Sequence, residues 1–168
     1  AVPCAPLVTG FQAYMPKVKS ELYREVVQQA SALMEGEKDL IANLANISAL
    51  LWMHLPDINW AGFYLLKNDE LVLGPFQGKP ACVRIPMGRG VCGTAAKLGQ
   101  PQLVEDVHQF EGHIACDAAS NSEVVLPFYQ GEQLMGVLDI DSPSLARFDQ
   151  EDLQGLQNLI SVLQEALA

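Results

Sequence analysis

The apolar residues of this chain change their spacing twice, and that change limits the fold more than any single motif. From Lys17 to Met34 they fall at Val18, Leu22, Val26, Val27, Ala30, Leu33 and Met34, the spacing of one helix face. A second helix is expected from Lys38 to His54, striped by Leu40, Ile41, Leu44, Ile47, Leu50 and Leu51 and stopped by Pro56. Beyond Pro56 the pattern becomes that of strands. Asn59–Leu66 is aromatic and strand-like, Lys67-Asn68-Asp69 reads as a hairpin turn before Leu71–Leu73, and Cys82–Ile85 reads as another short strand. Gly88-Arg89-Gly90 breaks the chain ahead of a short helix, Val91–Leu98, closed by Gly99. Gln102–Val104, behind Pro101, fits an edge strand. Ser122–Phe128 and Gln133–Asp141 flank a turn at Gln130-Gly131. Helical spacing returns at Asp149. Phe148 and Leu153 are placed as a hydrophobic staple, and Leu156, Leu159, Ile160, Leu163 and Leu167 carry the stripe onward. Helices, then a mostly antiparallel sheet, then a helix predict an α+β domain.

At 168 residues the chain has room for one well-buried domain, expected over 17–168 behind a short tail at 1–16. Ala1–Gly10 is Pro-rich and lacks a basic stretch followed by an apolar one, so no signal peptide is expected there. No apolar run approaches the length of a bilayer span. Net charge is −10, from 20 acidic and 10 basic residues, and Lys and Arg nowhere cluster. Nucleic acid and anionic membrane surfaces are therefore excluded as partners, since each needs a positive footprint. Cys4, Cys82, Cys92 and Cys116 are too few for a disulfide scaffold at this size. A cytoplasmic, reducing location is expected, where cysteines are buried, metal-binding or catalytic.

Residues 106–121 carry no clear period, and long irregular stretches inside a compact domain concentrate function. Cys116 lies on this stretch beside His113, where no core argument requires it, seven residues before Glu123. In the run LMGVLDID, strand alternation puts Val137, Asp139 and Asp141 on one face. The partner strand brings Glu123 to roughly the same level across the hairpin. Clustered carboxylates repel, so at least one should hold a proton near neutrality, as a general acid does; such a cluster also cages a ligand ammonium. Trp60 and Tyr64 share a strand face, a pattern of core or of pocket wall. Cys92 falls in the first turn of the short helix, where the helix dipole favours a thiolate, although its apolar neighbours suit an inert packing cysteine equally well. Cys82 could point to either side of its strand. His108, His113 and Cys116, with Cys82 and Cys92, also offer enough ligands for zinc, although no C-x2-C pair is present.

Four stretches together carry a family likeness: NWAGFYLL at 59–66, LGPFQGKPACVRIPMGRGVCGTAA at 73–96, HIACDAASNSEVVLPF at 113–128 and GVLDIDSPSLARFD at 136–149. Over these the chain resembles the free methionine-(R)-sulfoxide reductases, a stand-alone enzymatic branch of the GAF-domain fold. The resemblance implies a central six-stranded antiparallel sheet flanked by two N-terminal helices and a C-terminal helix. It implies reduction of the R epimer of free methionine sulfoxide, with no cofactor and no metal. Cys116 matches the family's nucleophile, Cys82 the cysteine that resolves it as a disulfide, and Cys92 a third, less constant redox cysteine. Glu123, Asp139 and Asp141 match the carboxylates that hold the substrate ammonium and act on the sulfoxide oxygen. Asp141 counts among both binding and catalytic groups, and the identity of the proton donor stays open. Trp60 and Tyr64 match the walls around the S-methyl group. Thioredoxin is the implied reductant, and a homodimer the implied assembly. The alternative is a GAF module that only binds and senses a small molecule.

Overall fold

A computed structural model describes residues 17–113 and 119–168; the tail at 1–16 and Cys116 lie outside these. The chain enters α1 (Lys19–Met34) from an extended Val18, two residues after Lys17, where the helical stretch is expected to begin. Helix α2 (Leu40–His54) is capped by Asp39, whose side chain accepts a hydrogen bond from the Ala42 amide. Strands β1 (Trp60–Lys67) and β2 (Glu70–Gly78) form a hairpin closed by Asn68 and Asp69, both with positive φ. That two-residue turn matches the twist of the flanking strands. Then come β3 (Arg84–Pro86), α3 (Gly90–Leu98), β4 (Gln102–Val104) and a 3-10 turn at Val107–Gln109. The β5 (Ser122–Gln130) and β6 (Gln133–Ser142) hairpin leads to α4 (Gln150–Leu167).

The strands form one antiparallel six-stranded sheet in the order β3-β2-β1-β6-β5-β4, with β4 at an edge as expected. Because β1 and β6 are central, β1 pairs with both β2 and β6, and β6 with both β1 and β5. Alternation then sorts the side chains into two layers. Phe63, Leu65, Val124, Leu126, Leu138 and Ile140 face α1, α2 and α4. Trp60, Tyr64, Val125 and Val137 face the opposite way, onto Val91, Cys92, Ala95 and Ala96 of α3. The first layer is the main core, and each fully buried large side chain there contributes about 1.5–3 kcal/mol. The second layer carries the polar cluster described below.

Helix α4 starts as the sequence indicates. Asp149 caps it, Asp152 completes a capping box, and Phe148 is buried beside Leu153. Asp152 is buried and receives the Tyr23 hydroxyl at 2.7 Å and Lys19 Nζ at 2.7 Å, which ties α1 to the start of α4. The third strand differs from expectation. It begins at Arg84 rather than Cys82. Cys82 is held off the sheet because its carbonyl accepts the Tyr64 hydroxyl at 2.9 Å, while the Val83 carbonyl takes the Leu73 amide. No helix among the described residues is long and apolar enough to cross a membrane.

Candidate active site

Strand register assembles the site. Asp141 of β6 pairs with Glu123 of β5 on one side and with Trp60 of β1 on the other. One step along, Asp139 pairs with Val125 and Gly62. Partners across antiparallel strands share a face, so all three carboxylates and Trp60 and Tyr64 of β1 project from the α3 side of the sheet. The aromatic residues form an organised wall. The Trp60 and Tyr64 ring centroids are 5.8 Å apart at 24°, and Phe76 stacks on Trp60 at 5.1 Å and 15°. Gly62 lies between them, and a Cβ there would stand 2.3 Å from the Phe76 Cβ. Only glycine lets β2 come this close.

The polar tips of the aromatic wall hold the segment that crosses above it. Trp60 Nε1 donates to the Lys79 carbonyl at 3.2 Å, and the Tyr64 hydroxyl donates to the Cys82 carbonyl. Between this segment and the sheet lies a cavity of about 60 Å³, bounded by Trp60, Tyr64, Glu123, Asp139 and Asp141. Lys79, Pro80, Ala81, His113 and Ser120 complete its lining. Of these, only His113 is singled out by the sequence, as a neighbour of Cys116 and a zinc candidate; the other four lie on irregular segments, where no periodicity marks a side chain as pocket-facing. A wider groove between α1 and α4, about 1070 Å³, is lined by no cysteine and none of these three carboxylates. The smaller cavity is therefore where the reactive groups converge.

Burial governs the electrostatics. Glu123 is 7% exposed and Asp139 5% exposed. Burial, and then nearby Asp139, push the Glu123 carboxyl well above the usual range. Burial, and then Asp141, do the same to Asp139. Asp139 Oδ1 is buried and has no hydrogen-bond partner among the described residues, so a buried acceptor is left without a donor. Neighbouring His113 is shifted the other way, chiefly by burial and then by His108, whose ring sits 6.1 Å from its own.

The two described cysteines separate clearly. Cys92 is buried, and its Sγ lies 3.8 Å from Glu123 Oε2. Of the two readings left open for Cys92, its burial matches the packing cysteine, and burial and then Asp139, Glu123 and Asp141 raise its pKa well above that of an ordinary thiol. One helix N-terminus is outweighed by that acidic surrounding. Cys82 is half-buried and disulfide-bonded, whereas Cys92 is a free thiol. The zinc set of histidines and cysteines is not gathered by the described residues, since Cys92 groups with Glu123 and Asp139 instead.

A six-stranded antiparallel sheet with helices on both faces and a small acid-floored recess on one face fits a GAF domain, and the family model described as GAF domain matches residues 39–168. The chain is 61% identical over 150 residues to the free methionine-R-sulfoxide reductase of Escherichia coli, covering 89% of this chain and 91% of that one. The structure of fRMsr of Staphylococcus aureus in complex with substrate superposes with a TM-score of 0.84 at 52% identity, over 87% of this chain and 95% of that one. The free methionine-R-sulfoxide reductase of Neisseria meningitidis, also in complex with its substrate, gives a TM-score of 0.87 at 44% identity, over 92% and 93%. The chain belongs to the GAF-domain family, in its free methionine-(R)-sulfoxide reductase branch.

Proposed function

We propose that the protein reduces free L-methionine-(R)-S-oxide to methionine, using Cys116 as nucleophile and the buried carboxylates as binding and proton-donating groups. The observation that carries this reading is the Glu123, Asp139 and Asp141 cluster at the floor of a cavity walled by Trp60 and Tyr64. A cavity closed by aromatic rings and floored by acids suits a small ligand with an apolar methyl at one end and an ammonium at the other. The relatives named above add the same chemistry from outside the chain.

The Cys116 thiolate attacks the sulfoxide sulfur while a carboxyl of the cluster delivers a proton to the departing oxygen. A raised carboxyl pKa keeps that proton available near neutrality. Methionine leaves, the sulfoxide oxygen passes to Cys116, and Cys116 becomes a sulfenic acid. The Cys82 thiol condenses with it, releasing water and forming a Cys82–Cys116 disulfide. Thioredoxin dithiol then exchanges with that disulfide, so two electrons move from thioredoxin to the substrate sulfur. Cys82 is favoured as resolving thiol because it is disulfide-bonded while Cys92 stays free and acid-bound. Selection for the free amino acid follows from the acidic floor. A peptide-bound residue has no ammonium to offset those carboxylates.

The test is NADPH oxidation in a thioredoxin and thioredoxin reductase system supplied with each sulfoxide epimer. Turnover of the R epimer alone, lost in Cys116→Ser, is expected. No turnover of either epimer would sink the reading. A binding-only sensor would retain affinity and signalling in Cys116→Ser, and would show no NADPH oxidation in the wild type.

A further inference from the structure

We infer that Cys92, Glu123 and Asp139 form an inhibitory site for a thiophilic divalent cation of the zinc class. The ligand atoms of these three side chains lie within 4.8 Å of one another, and all three residues are buried. A tetrahedral ion with bonds of about 2.0–2.3 Å spaces its ligands roughly 3.3–3.8 Å apart. Side-chain adjustment of about an ångström therefore closes the set around one ion. A second observation points to a cation. Asp139 Oδ1 is buried and has no hydrogen-bond partner among the described residues, yet Asp139 lines the cavity.

The donor set selects the metal. One sulfur and two carboxylate oxygens suit zinc, whereas magnesium and calcium call for oxygen alone. Three protein ligands leave a fourth position, and it faces the cavity because Glu123 and Asp139 both line it. On binding, the cation displaces the Cys92 thiol proton and any proton held by the two carboxyls, so uptake releases protons to solvent. It also takes the carboxylates that the substrate requires. The site thus gives Cys92 a use that the reaction scheme does not. Only the inhibitory consequence rests on the reductase reading; metal uptake stands apart from it.

The experiment uses the full chain, reduced with a phosphine, and Co2+ as a spectroscopic stand-in for zinc. One equivalent of bound Co2+ with a thiolate-to-metal absorption band is expected. The band should vanish in Cys92→Ser and survive in Cys82→Ser and Cys116→Ser. Weakened zinc uptake in Asp139→Asn gives a second readout should the Cys92 variant fail to fold. No uptake, uptake without the thiolate band, or a band that persists in Cys92→Ser would each overturn the site. Metal uptake by a protein that turns over no sulfoxide would leave the site standing and remove the reductase reading. Turnover without metal uptake would do the reverse. With both in place, added methionine sulfoxide should displace the Co2+ band, and zinc should raise KM with little change in kcat.

Discussion

Glu123 and Asp141 stand directly opposite each other across the β5–β6 pair, so two carboxylates occupy one row of the sheet with Asp139 one step away. Such an arrangement costs stability whenever the groups ionise. The Glu123 pKa is raised in the folded chain, by burial and then by Asp139. The native state therefore holds a proton at pH values where the unfolded chain has released it. The resulting stability is fully present below the unfolded carboxyl value, roughly 4. It is lost as pH rises through the raised folded value. We expect Glu123→Gln to flatten this decline and to raise the melting temperature near neutrality. Activity on the R sulfoxide should fall by roughly 10²–10⁴-fold, the usual worth of a positioned acid. Thermal melts across a pH series, paired with turnover, check both halves. A variant less stable than wild type at neutral pH would contradict the argument.

The two described cysteines give a second prediction. Cys82 is disulfide-bonded beside the cavity, while Cys92 is embedded among carboxylates that disfavour its thiolate. Cys82→Ser should still release one equivalent of methionine from pre-reduced enzyme, then stall, with thioredoxin-driven turnover near background. Mass mapping of substrate-oxidised wild type should find Cys82 linked to Cys116. A Cys92–Cys116 bridge as the main product would transfer the resolving role.

Gly62 supports a third. A Cβ at this position would meet the Phe76 Cβ at 2.3 Å and its Cα at 2.6 Å, and the second of these is backbone. The clash cannot be relieved by a rotamer change alone, so β2 must move away from β1. Gly62→Ala is expected to cost at least about 1–3 kcal/mol, as overpacking does. It should also disturb the Trp60–Phe76 stack that forms the cavity wall. Urea denaturation reads the first effect, and a rise in KM together with altered Trp60 fluorescence reads the second.

Periodicity made most of the fold legible. The apolar stripes of α1, α2 and α4 and the alternation of β5 and β6 come from local spacing, and tertiary packing leaves them in place. β3 shifted because its boundary depends on a distant partner: the Tyr64 hydroxyl claims the Cys82 carbonyl, and no local pattern contains that contact. The site divides in the same way. Asp139 and Asp141 share a face by alternation alone. The placement of Glu123 opposite Asp141 needed the hairpin register, and the acid environment of Cys92 needed the docking of α3 on the sheet. Lys79, His113 and Ser120 reach the cavity from irregular segments, and only the folded chain brings them there.

The last prediction concerns the α1–α4 junction. Asp149 accepts hydrogen bonds from the Glu151 and Asp152 amides and pairs with Lys19 Nζ at 2.9 Å. Its pKa is lowered to about 2, first by Lys19, with the cap amides adding to the effect. The sign is the reverse of that for Glu123. Stability from Asp149 is present above the usual carboxyl range and is lost as pH falls toward 2. The cap and the ion pair can be separated. Asp149→Ala removes both and should cost about 1 kcal/mol, typical of a lost N-cap. Asp149→Asn keeps an acceptor for the amides and loses only the charge. Because the Asp149 side chain is 56% exposed, the ion pair is screened by solvent and contributes little. High salt should therefore erase the gap between Asp149→Asn and wild type while leaving the Asp149→Ala deficit in place. Urea midpoints at low and high salt decide the matter, and equal losses for the two variants would show that the charge, not the cap, holds the start of α4.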